Sequence, residues 1–426
     1  MKPDQSLLGD GHKTAGLICL FGFFLHIVLS APLLNALGFH YSGEEGAFYE
    51  KIHPGTVFIF ISFIVLLLDR GRPIKALIDI FRGQPAYAAL LAIYLLIFVY
   101  VVARSGPMGT ALLIDTHLTV PICAIVLSST PISYCRKAVL FFVLVAAINS
   151  TIGIVEASTH LRLFEYDPEW SVMKEEHFRA SALRGHPLVN AMFTVIAMFV
   201  MFALRLPNVI KGGLFLLFTA SLIAYGSRSA LICWAVGMLV LGGWQLRQSF
   251  KPAMSMSRLF ALLAVAIAVP AALIGFIALL FYSGLGERLI DAAHWDESAN
   301  SRVLAMQALH YLSPEEMLLG VSSARIIDIT ERVNQTVALG GIENPWILMF
   351  MYLGLVAFPV WFGATIVFVR RLLREKPLAL QLAVLSYFAI ATPFNSFGVK
   401  DSTYLIMVSA VVCAAHGFYS SPQSRA

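Results

Sequence analysis

Residues 186–204, HPLVNAMFTVIAMFVMFAL, contain no Asp, Glu, Lys or Arg. An α-helix rises about 1.5 Å per residue, so a run of this length can cross a hydrocarbon core of about 30 Å. Similar runs recur along the 426-residue chain, which is 58% hydrophobic and 13% charged; soluble domains are about 25% charged. The sequence therefore predicts one all-α, polytopic membrane domain over residues 1–426 and excludes a water-soluble globule.

The apolar runs predict about twelve transmembrane helices. They lie near residues 15–37, 54–68, 86–103, 110–128, 137–155, 186–204, 211–226, 229–246, 258–282, 345–369, 377–396 and 402–419. Asp115 and His117 interrupt the fourth run and the second run is short, so ten or eleven spans remain an alternative. The first run is too long for a signal peptide, and no small-residue cleavage site follows it, so we expect it to stay in the membrane.

The distribution of charge predicts the orientation. About 18 of the 30 Lys and Arg residues fall on one side of the alternating spans, and about 20 of the 25 acidic residues fall on the other. Because basic residues are retained in the cytoplasm, both termini are expected there, in a bacterial inner membrane. The net charge of +5 then reflects membrane anchors rather than a nucleic-acid partner.

Two long segments are predicted on the outward, periplasmic side, residues 156–185 and 284–344. The second segment contains two stretches with helical patterning, Ser301–Leu312 and Ser323–Val333. Such long connections are where function concentrates in compact helical proteins. The five cysteines show neither metal-ligand spacing nor a place in these segments, so we expect no disulfide framework.

Arginine side chains mark three outward positions. Arg179, Arg184 and His186 lie at the entrance to the sixth span, Arg228 lies in a Gly-Ser-Arg-Ser turn, and Arg302 begins the Ser301–Leu312 helix. Placing an arginine within the membrane costs about 2.5 to 3.5 kcal/mol on insertion scales. We therefore expect each of these arginines to have a binding partner or a function. Because guanidinium groups bind phosphate through paired hydrogen bonds, several together suggest a diphosphate. The alternative is that single arginines reach lipid headgroups or pair with nearby acids.

These segments resemble the bacterial O-antigen ligase and Wzy-type polysaccharide polymerase superfamily. The resemblance rests on Arg179 to Pro187, on the turn Ser227 to Ala230, and on Ser301-Arg302 before an amphipathic helix, with the large outward loop before the tenth span. It implies transfer of a glycan from an undecaprenyl-diphosphate carrier to an acceptor sugar hydroxyl at the periplasmic face, without nucleotide sugar or metal. No metal and no cofactor would be needed, and other polysaccharide-assembly proteins would be partners.

The resemblance also implies site residues. Arg228 and Arg302 would hold the diphosphate and stabilise its departure. The ligases place a His-Asn pair before the tenth span, and here the matching residues are Glu343 and Asn344. Glu343 is therefore the candidate general base, or alternatively a structural partner of an arginine. This difference favours a polymerase of an exopolysaccharide pathway over a ligase acting on the lipid A core.

Two histidines are alternative bases, and one other class of protein fits the topology. His186 stands beside Pro187, and His310 follows Arg302 by eight positions. A histidine at a helix entrance is more often a capping residue than a catalytic one. Twelve spans with cytoplasmic termini also describe transporters and flippases, although the sequence shows no repeat of membrane-buried acids that would couple transport to ions.

Overall fold

A computed structural model describes residues 10–41, 46–69, 71–106, 110–164, 178–249, 305–336, 342, 344–392 and 398–419, with isolated positions 275, 278 and 282. Regular elements in these ranges are helical, and no described residue forms a strand. The helices are α1 (Asp10–Val28), α2 (Ala31–Ala36), α3 (Pro54–Leu68), α4 (Pro73–Gly83), α5 (Pro85–Ser105), α6 (Thr119–Ser129), α7 (Ile132–Thr159), α8 (Pro187–Ala203), α9 (Asn208–Tyr225), α10 (Arg228–Ser249), α11 (Pro314–Leu319), α12 (Ser323–Thr336), α13 (Pro345–Leu373), α14 (Leu378–Ala391) and α15 (Thr403–Tyr419). A π-helical turn, Leu113–Leu118, leads into α6, and 3-10 helices cover Phe48–Lys51 and Ala305–Tyr311.

The helices have the length and composition of membrane spans. Among the described residues, five helices are long and apolar enough to cross a membrane, and six shorter apolar helices accompany them. Their outer faces expose large apolar side chains such as Ile64, Leu96 and Leu239. Exposed apolar surface on this scale marks contact with lipid. The protein is therefore an all-α membrane protein, while twelve spans and their orientation stay predictions because most of the predicted ninth span lies outside the described residues.

The centre of the bundle is formed by α6, α8 and α15, in which nearly every residue is buried. Helix α7 packs against both α8 and α15, and α14 packs against α8. At one side α1 lies along α3, and both contact α6. This packing brings the ends of α1, α3, α6 and α15 together, and the polar residues at those ends form part of the site described below.

The predicted first span, residues 15–37, is wrong as one continuous helix. Helix α1 ends at Val28, and the chain restarts as α2 from Ala31 with Pro32 in its first turn. Proline has no backbone N–H and clashes with the preceding turn, so a helix cannot continue through it without a break. The result is a short, separate α2 at the end of the bundle.

The predicted tenth span, residues 345–369, is also wrong as one straight helix. The ring centroids of Trp346 and Phe362 are 5.4 Å apart, although a straight helix would separate positions this far apart in sequence by about 24 Å. The backbone of Gly354 is non-helical, with φ 66° and ψ −179°, and it divides α13 at that point. The half-helix 345–353 therefore folds back beside the longer segment 355–373.

Contacts from the end of α5 and from the chain after α11 stabilise this break. The guanidinium of Arg104, at the end of α5, donates to the carbonyls of Leu319, Val321 and Tyr352, the latter two at 2.9 Å. The N–H of Val321 donates to the Met351 carbonyl at 2.7 Å. These bonds satisfy carbonyls at the end of α11 and at the end of the half-helix, which have no helical partner.

Residues 305–336 contain helices that the sequence predicts in part. The predicted helix Ser323–Val333 is confirmed as α12. In the predicted helix Ser301–Leu312, residues 301–304 lie outside the described residues, and Ala305–Tyr311 is a 3-10 helix. Ser313 then caps α11, because its hydroxyl accepts from the Glu316 N–H and the Glu316 carboxylate accepts from the Ser313 N–H.

Helix α4 is absent from the predicted spans. It follows Arg72 and exposes Ile74, Ile78 and Phe81, while Lys75 and Arg82 give it charge. A short helix with one apolar face and basic residues is typical of an element that lies in the membrane interface. Its length of 11 residues is too short to cross a membrane.

Candidate functional site

Of the three residues predicted to be catalytic, the structure describes one. Glu343 and Arg302 lie outside the described residues. Arg228 is half-buried and is the first residue of α10. Ser227 precedes it and caps that helix, because its Oγ accepts from the Ala230 N–H at 3.4 Å. The Gly-Ser-Arg-Ser turn is thus the junction between α9 and α10, with the arginine at the start of a helix.

A second predicted arginine reaches the same junction. The Arg179 Nε donates to the Tyr225 carbonyl at 3.2 Å, and the Ala180 N–H donates to the Ala224 carbonyl at 3.3 Å. Residues 179–180 therefore run beside the end of α9, three positions before Arg228.

A third arginine, which the sequence did not single out, joins these two. Arg162 donates from Nη2 to the Arg179 carbonyl at 3.3 Å, and its guanidinium lies 4.8 Å from the centre of the Phe178 ring. We call Arg162, Arg179 and Arg228 the arginine corner. These three residues lie where the ends of α7 and α9 adjoin the start of α10, and a group of arginines suits an anionic ligand.

A buried carboxylate fixes the segment that carries Arg179. The Glu156 side chain accepts hydrogen bonds from the N–H groups of Leu163 and Ser181, both at 2.7 Å, and of Ala182 at 2.8 Å. The Asn149 Oδ1 accepts from the Leu183 N–H at 3.0 Å. Because these bonds join the end of α7 to the chain before α8, Glu156 orders this segment and the arginine corner with it.

Arg184 lies apart from the arginine corner. It is only 8% exposed, and its Nη1 donates to the carbonyls of His26 at 3.0 Å and Ile27 at 3.3 Å. Its guanidinium also lies 5.5 Å from the centre of the Phe193 ring. These contacts show a structural role for Arg184, because its positive charge stabilises the C-terminal carbonyls of α1.

The other predicted binding residues occupy helix starts or the surface. The His186 Nδ1 accepts from the Leu188 N–H at 3.2 Å and so caps α8. The Asn344 Oδ1 accepts from the N–H groups of Trp346 at 3.0 Å and Ile347 at 3.2 Å and caps the half-helix of α13. His310 is exposed on the 3-10 helix Ala305–Tyr311. The charge of Arg179 acts on the His186 ring, so this histidine lies within electrostatic reach of the arginine corner. The contacts given for Asn344 and His310 do not bring these two side chains to it.

The structure contains a polar cluster that sequence reasoning missed. Asp115, in the π-helical turn before α6, is 2% exposed. Its carboxylate accepts from the Thr56 hydroxyl at 2.7 Å, the His53 N–H at 2.9 Å and the Tyr41 hydroxyl at 3.0 Å. We call these four residues, with His26 and Lys400, the buried acid cluster. The hydrogen bonds to the Asp115 carboxylate offset the free-energy cost of burying it.

Two stacked histidines extend this cluster toward α1 and α15. The rings of His26 and His53 are 3.8 Å apart and nearly parallel. His26 contacts the Ser402 hydroxyl through Nδ1 at 2.8 Å and the Thr56 hydroxyl through Nε2 at 3.2 Å. Since Thr56 donates to Asp115, its oxygen accepts the proton on His26 Nε2. A continuous series of hydrogen bonds thus runs from Ser402 through His26 and Thr56 to Asp115.

His53 itself is a neutral side chain. Its Nε2 donates to the Leu29 carbonyl at 2.8 Å, and its Nδ1 accepts from the Gly55 N–H at 3.0 Å. These two bonds require a single proton on Nε2. Burial lowers the pKa of His53 to about 4, with the charges of Arg184 and Lys400 acting in the same direction. The ring therefore caps α3 without adding charge to the cluster.

Lys400 is the cationic member of the cluster. Its ammonium donates to the carbonyls of Tyr41 and, at 3.0 Å, Lys51, and it lies 3.8 Å from the centre of the Tyr41 ring. Burial lowers the pKa of Lys400 to about 8, while the charge of Asp115 acts in the opposite direction. The positive charge of Lys400 thus interacts with the buried carboxylate, and its hydrogen bonds bind the chain between α2 and α3 to the end of the bundle.

One sequence signal pointed to this cluster. Asp115 and His117 lie inside an apolar run, and an ionisable residue in such a position is a candidate for function by default. From the sequence alone, these two residues only weaken the prediction of the fourth span. The partners Tyr41, Thr56 and Lys400 are far apart in sequence, so no local pattern joins them.

No protein-family model matches the chain, and no curated protein matches it. Among the described residues, no group of three or more His, Cys, Asp or Glu side chains has an arrangement that could hold a metal ion. The class defined by the fold is an all-α membrane protein with polar sites at the ends of its helices.

Proposed function

We propose that this protein transfers a glycan from an undecaprenyl-diphosphate-linked oligosaccharide to an acceptor sugar hydroxyl at the outward face of the membrane. The observation that carries the proposal is the arginine corner. Two arginines chosen from the sequence, Arg179 and Arg228, lie at one helix junction, because Arg179 bonds to the carbonyl of Tyr225. Clustered guanidinium groups at the end of a membrane bundle suit a lipid-linked diphosphate, whose tail stays in the bilayer.

The reaction assigns a task to each part of this site. Arg228, supported by Arg302, would stabilise the negative charge that develops on the diphosphate as it leaves. Glu343 would remove the proton from the acceptor hydroxyl as that oxygen attacks the anomeric carbon. A single displacement of this kind inverts the anomeric configuration. The glutamate in place of the ligases' histidine favours a polymerase of the exopolysaccharide or O-antigen type over a ligase of the lipid A core.

The test is a reconstituted reaction with variants. The purified full chain is incubated in proteoliposomes with undecaprenyl-diphosphate-linked oligosaccharide, and the products are analysed for glycan chain length. R228A and R302A should each lower the rate by about 100-fold or more, as expected when a donor to developing charge is lost. R332A is the matched control, because Arg332 is also predicted to face outward but is exposed and paired with Asp328 at 3.0 Å. Wild-type product from both R228A and R302A would refute the proposal.

Glu343 has a separate test in the same reaction. E343Q keeps the shape of the side chain but cannot accept a proton, so it should lose activity, while E343H should retain part of it as a substitute base. Full activity of E343Q would exclude Glu343 as the general base and leave the diphosphate assignment of Arg228 intact.

A second candidate function, transport, is favoured by the buried acid cluster. Asp115 is a buried acid in an apolar helix and is linked to His26 through the Thr56 hydroxyl, and intramembrane acids of this kind carry protons or ions in transporters. The same proteoliposomes separate the two functions. Movement of the lipid-linked oligosaccharide across the bilayer without any change in chain length, abolished by D115N, would establish a transporter.

A further inference from the structure

A groove on the lipid-facing side lies between α13 and α14. Its volume is about 720 Å³, within the range of about 300 to 1,000 Å³ typical of small-molecule sites. It is lined by Trp346, Phe358, Phe362, Ile366, Arg370 and Phe388, among others, and its surface is almost entirely apolar. Phe362 and Ile366 are 37% and 50% exposed, so the groove is open to the surroundings of the bundle.

The groove has a defined length. Four lining residues, Phe358, Phe362, Ile366 and Arg370, follow one another at spacing four, so they form one stripe along the longer segment of α13. From Phe358 to Arg370 this stripe measures about 18 Å, close to the depth of one leaflet, which is about 15 Å. Trp346 lines the groove beside Phe362, because the half-helix of α13 folds back onto that residue.

The open end of the groove carries positive charge. Arg370 is the basic residue in its lining, and Arg371 follows it in the last turn of α13. Both belong to the set of basic residues that predicts the cytoplasmic side of the membrane. An apolar channel of one leaflet's depth with a cation at its mouth is complementary to an acyl chain with an anionic headgroup.

We propose that this groove binds one acyl chain of an anionic phospholipid from the leaflet at the Arg370 end, with the lipid phosphate at Arg370. The chain terminus would contact Trp346, whose indole Nε1 donates to the Thr392 hydroxyl at 3.2 Å. Trp346 belongs to the half-helix that Asn344 caps. A bound lipid would therefore contact and stabilise that half-helix from the side of Arg370. The inference depends on the groove alone and is independent of glycan transfer.

The test measures lipid binding directly. The full chain is purified in detergent, stripped of lipid, and titrated with phosphatidylglycerol or with phosphatidylcholine of the same acyl chains, and bound lipid is counted by native mass spectrometry. R370Q should weaken phosphatidylglycerol binding about five-fold, the effect of removing about one favourable charge contact. I366W and F388W, which narrow the groove from its two walls, should weaken the binding of both lipids.

Two controls match these variants in chemistry. R374Q removes an arginine that is 71% exposed, pairs with Glu375 and does not line the groove. V367W adds the same bulk as I366W at a neighbouring position, 57% exposed, that also does not line the groove. Both controls should bind phosphatidylglycerol as the wild type does. Equal binding by I366W, F388W and the wild type would overturn the proposal, as would a dimer whose formation excludes lipid and is abolished by I366W.

Discussion

The Thr56 hydroxyl donates to the Asp115 carboxylate at 2.7 Å and thereby joins α3 to the turn that begins α6. Asp115 also accepts from Tyr41 and His53. An amide oxygen can replace only part of this acceptor capacity, and the amide nitrogen would face donors. We expect D115N to lower the free energy of unfolding in detergent by about 1 to 3 kcal/mol, the cost of leaving a buried donor unsatisfied.

The control for this variant is D79N, which makes the same chemical change in α4, away from the buried acid cluster. It should alter the free energy of unfolding by less than about 0.5 kcal/mol. Equal stability of D115N and D79N would show that the contacts of Asp115 contribute nothing to the folded state.

The break in α13 requires glycine at position 354. The φ of Gly354 is 66°, and a Cβ placed there would collide with the backbone of Gly320 and Leu318. G354A should therefore destabilise the protein by about 1 to 3 kcal/mol. G363A is the control on the same helix, where a Cβ has no neighbour within 4 Å, and it should raise stability by about 0.5 to 1 kcal/mol. Thermal unfolding of both variants measures the difference, and a stabilising G354A would contradict the broken helix.

Arg104 should be irreplaceable by lysine. Its planar guanidinium donates to three carbonyls, of Leu319, Val321 and Tyr352, and a lysine cannot reproduce this fork of donors. We expect R104K to lose about 1.5 to 3 kcal/mol, the usual value of a hydrogen bond to a charged group. Limited proteolysis should then cut residues 305–336 faster than in the wild type. Unchanged cleavage would show that Arg104 does not hold this segment.

Helices α11 and α12 should become less stable at acid pH. The hydrogen bond from Arg325 to Glu316, 2.8 Å long, is the main cause that lowers the pKa of Glu316 below its ordinary value. A carboxylate with a lowered pKa in the folded state contributes stability above its unfolded pKa of about 4.3. This contribution is lost as the pH falls through the folded pKa.

The measurement is amide hydrogen exchange in residues 313–333, compared between E316Q and the wild type at each pH. At pH 7 the variant should exchange faster, and the ratio of the two rates should approach one at pH 3. E315Q changes the neighbouring glutamate, which takes no part in the capping box with Ser313, and should give a ratio near one at both pH values. A ratio for E316Q that does not change with pH would refute the prediction.

The positions of most helices follow from the sequence because membrane spans depend on local hydrophobicity. A run such as residues 187–203 becomes helical whatever surrounds it, since no water is present to satisfy its backbone. Helix α4 was not predicted from the sequence, because its apolar residues are spaced along one face and do not form a continuous run.

The break at Gly354 and the buried acid cluster could not be predicted in the same way. Gly354 resembles any other glycine in an apolar run, and what requires its conformation is the approach of Gly320 and Arg104 from distant positions. Asp115 was visible, but its partners Tyr41 and Lys400 are separated from it by whole helices. Arg179 could be predicted as a site residue because arginine is rare near a membrane. Its contact with Tyr225 could not be predicted, because it depends on the fold.

The bend in α13 also has a consequence for the order in which the chain is made. The groups that support it, Arg104, Leu319 and Val321, all precede Gly354 in the sequence, and chains fold from their N-terminal end during synthesis. Each partner has therefore left the ribosome before the half-helix emerges. The bend can form as soon as the membrane-insertion machinery releases α13, without waiting for α14 and α15.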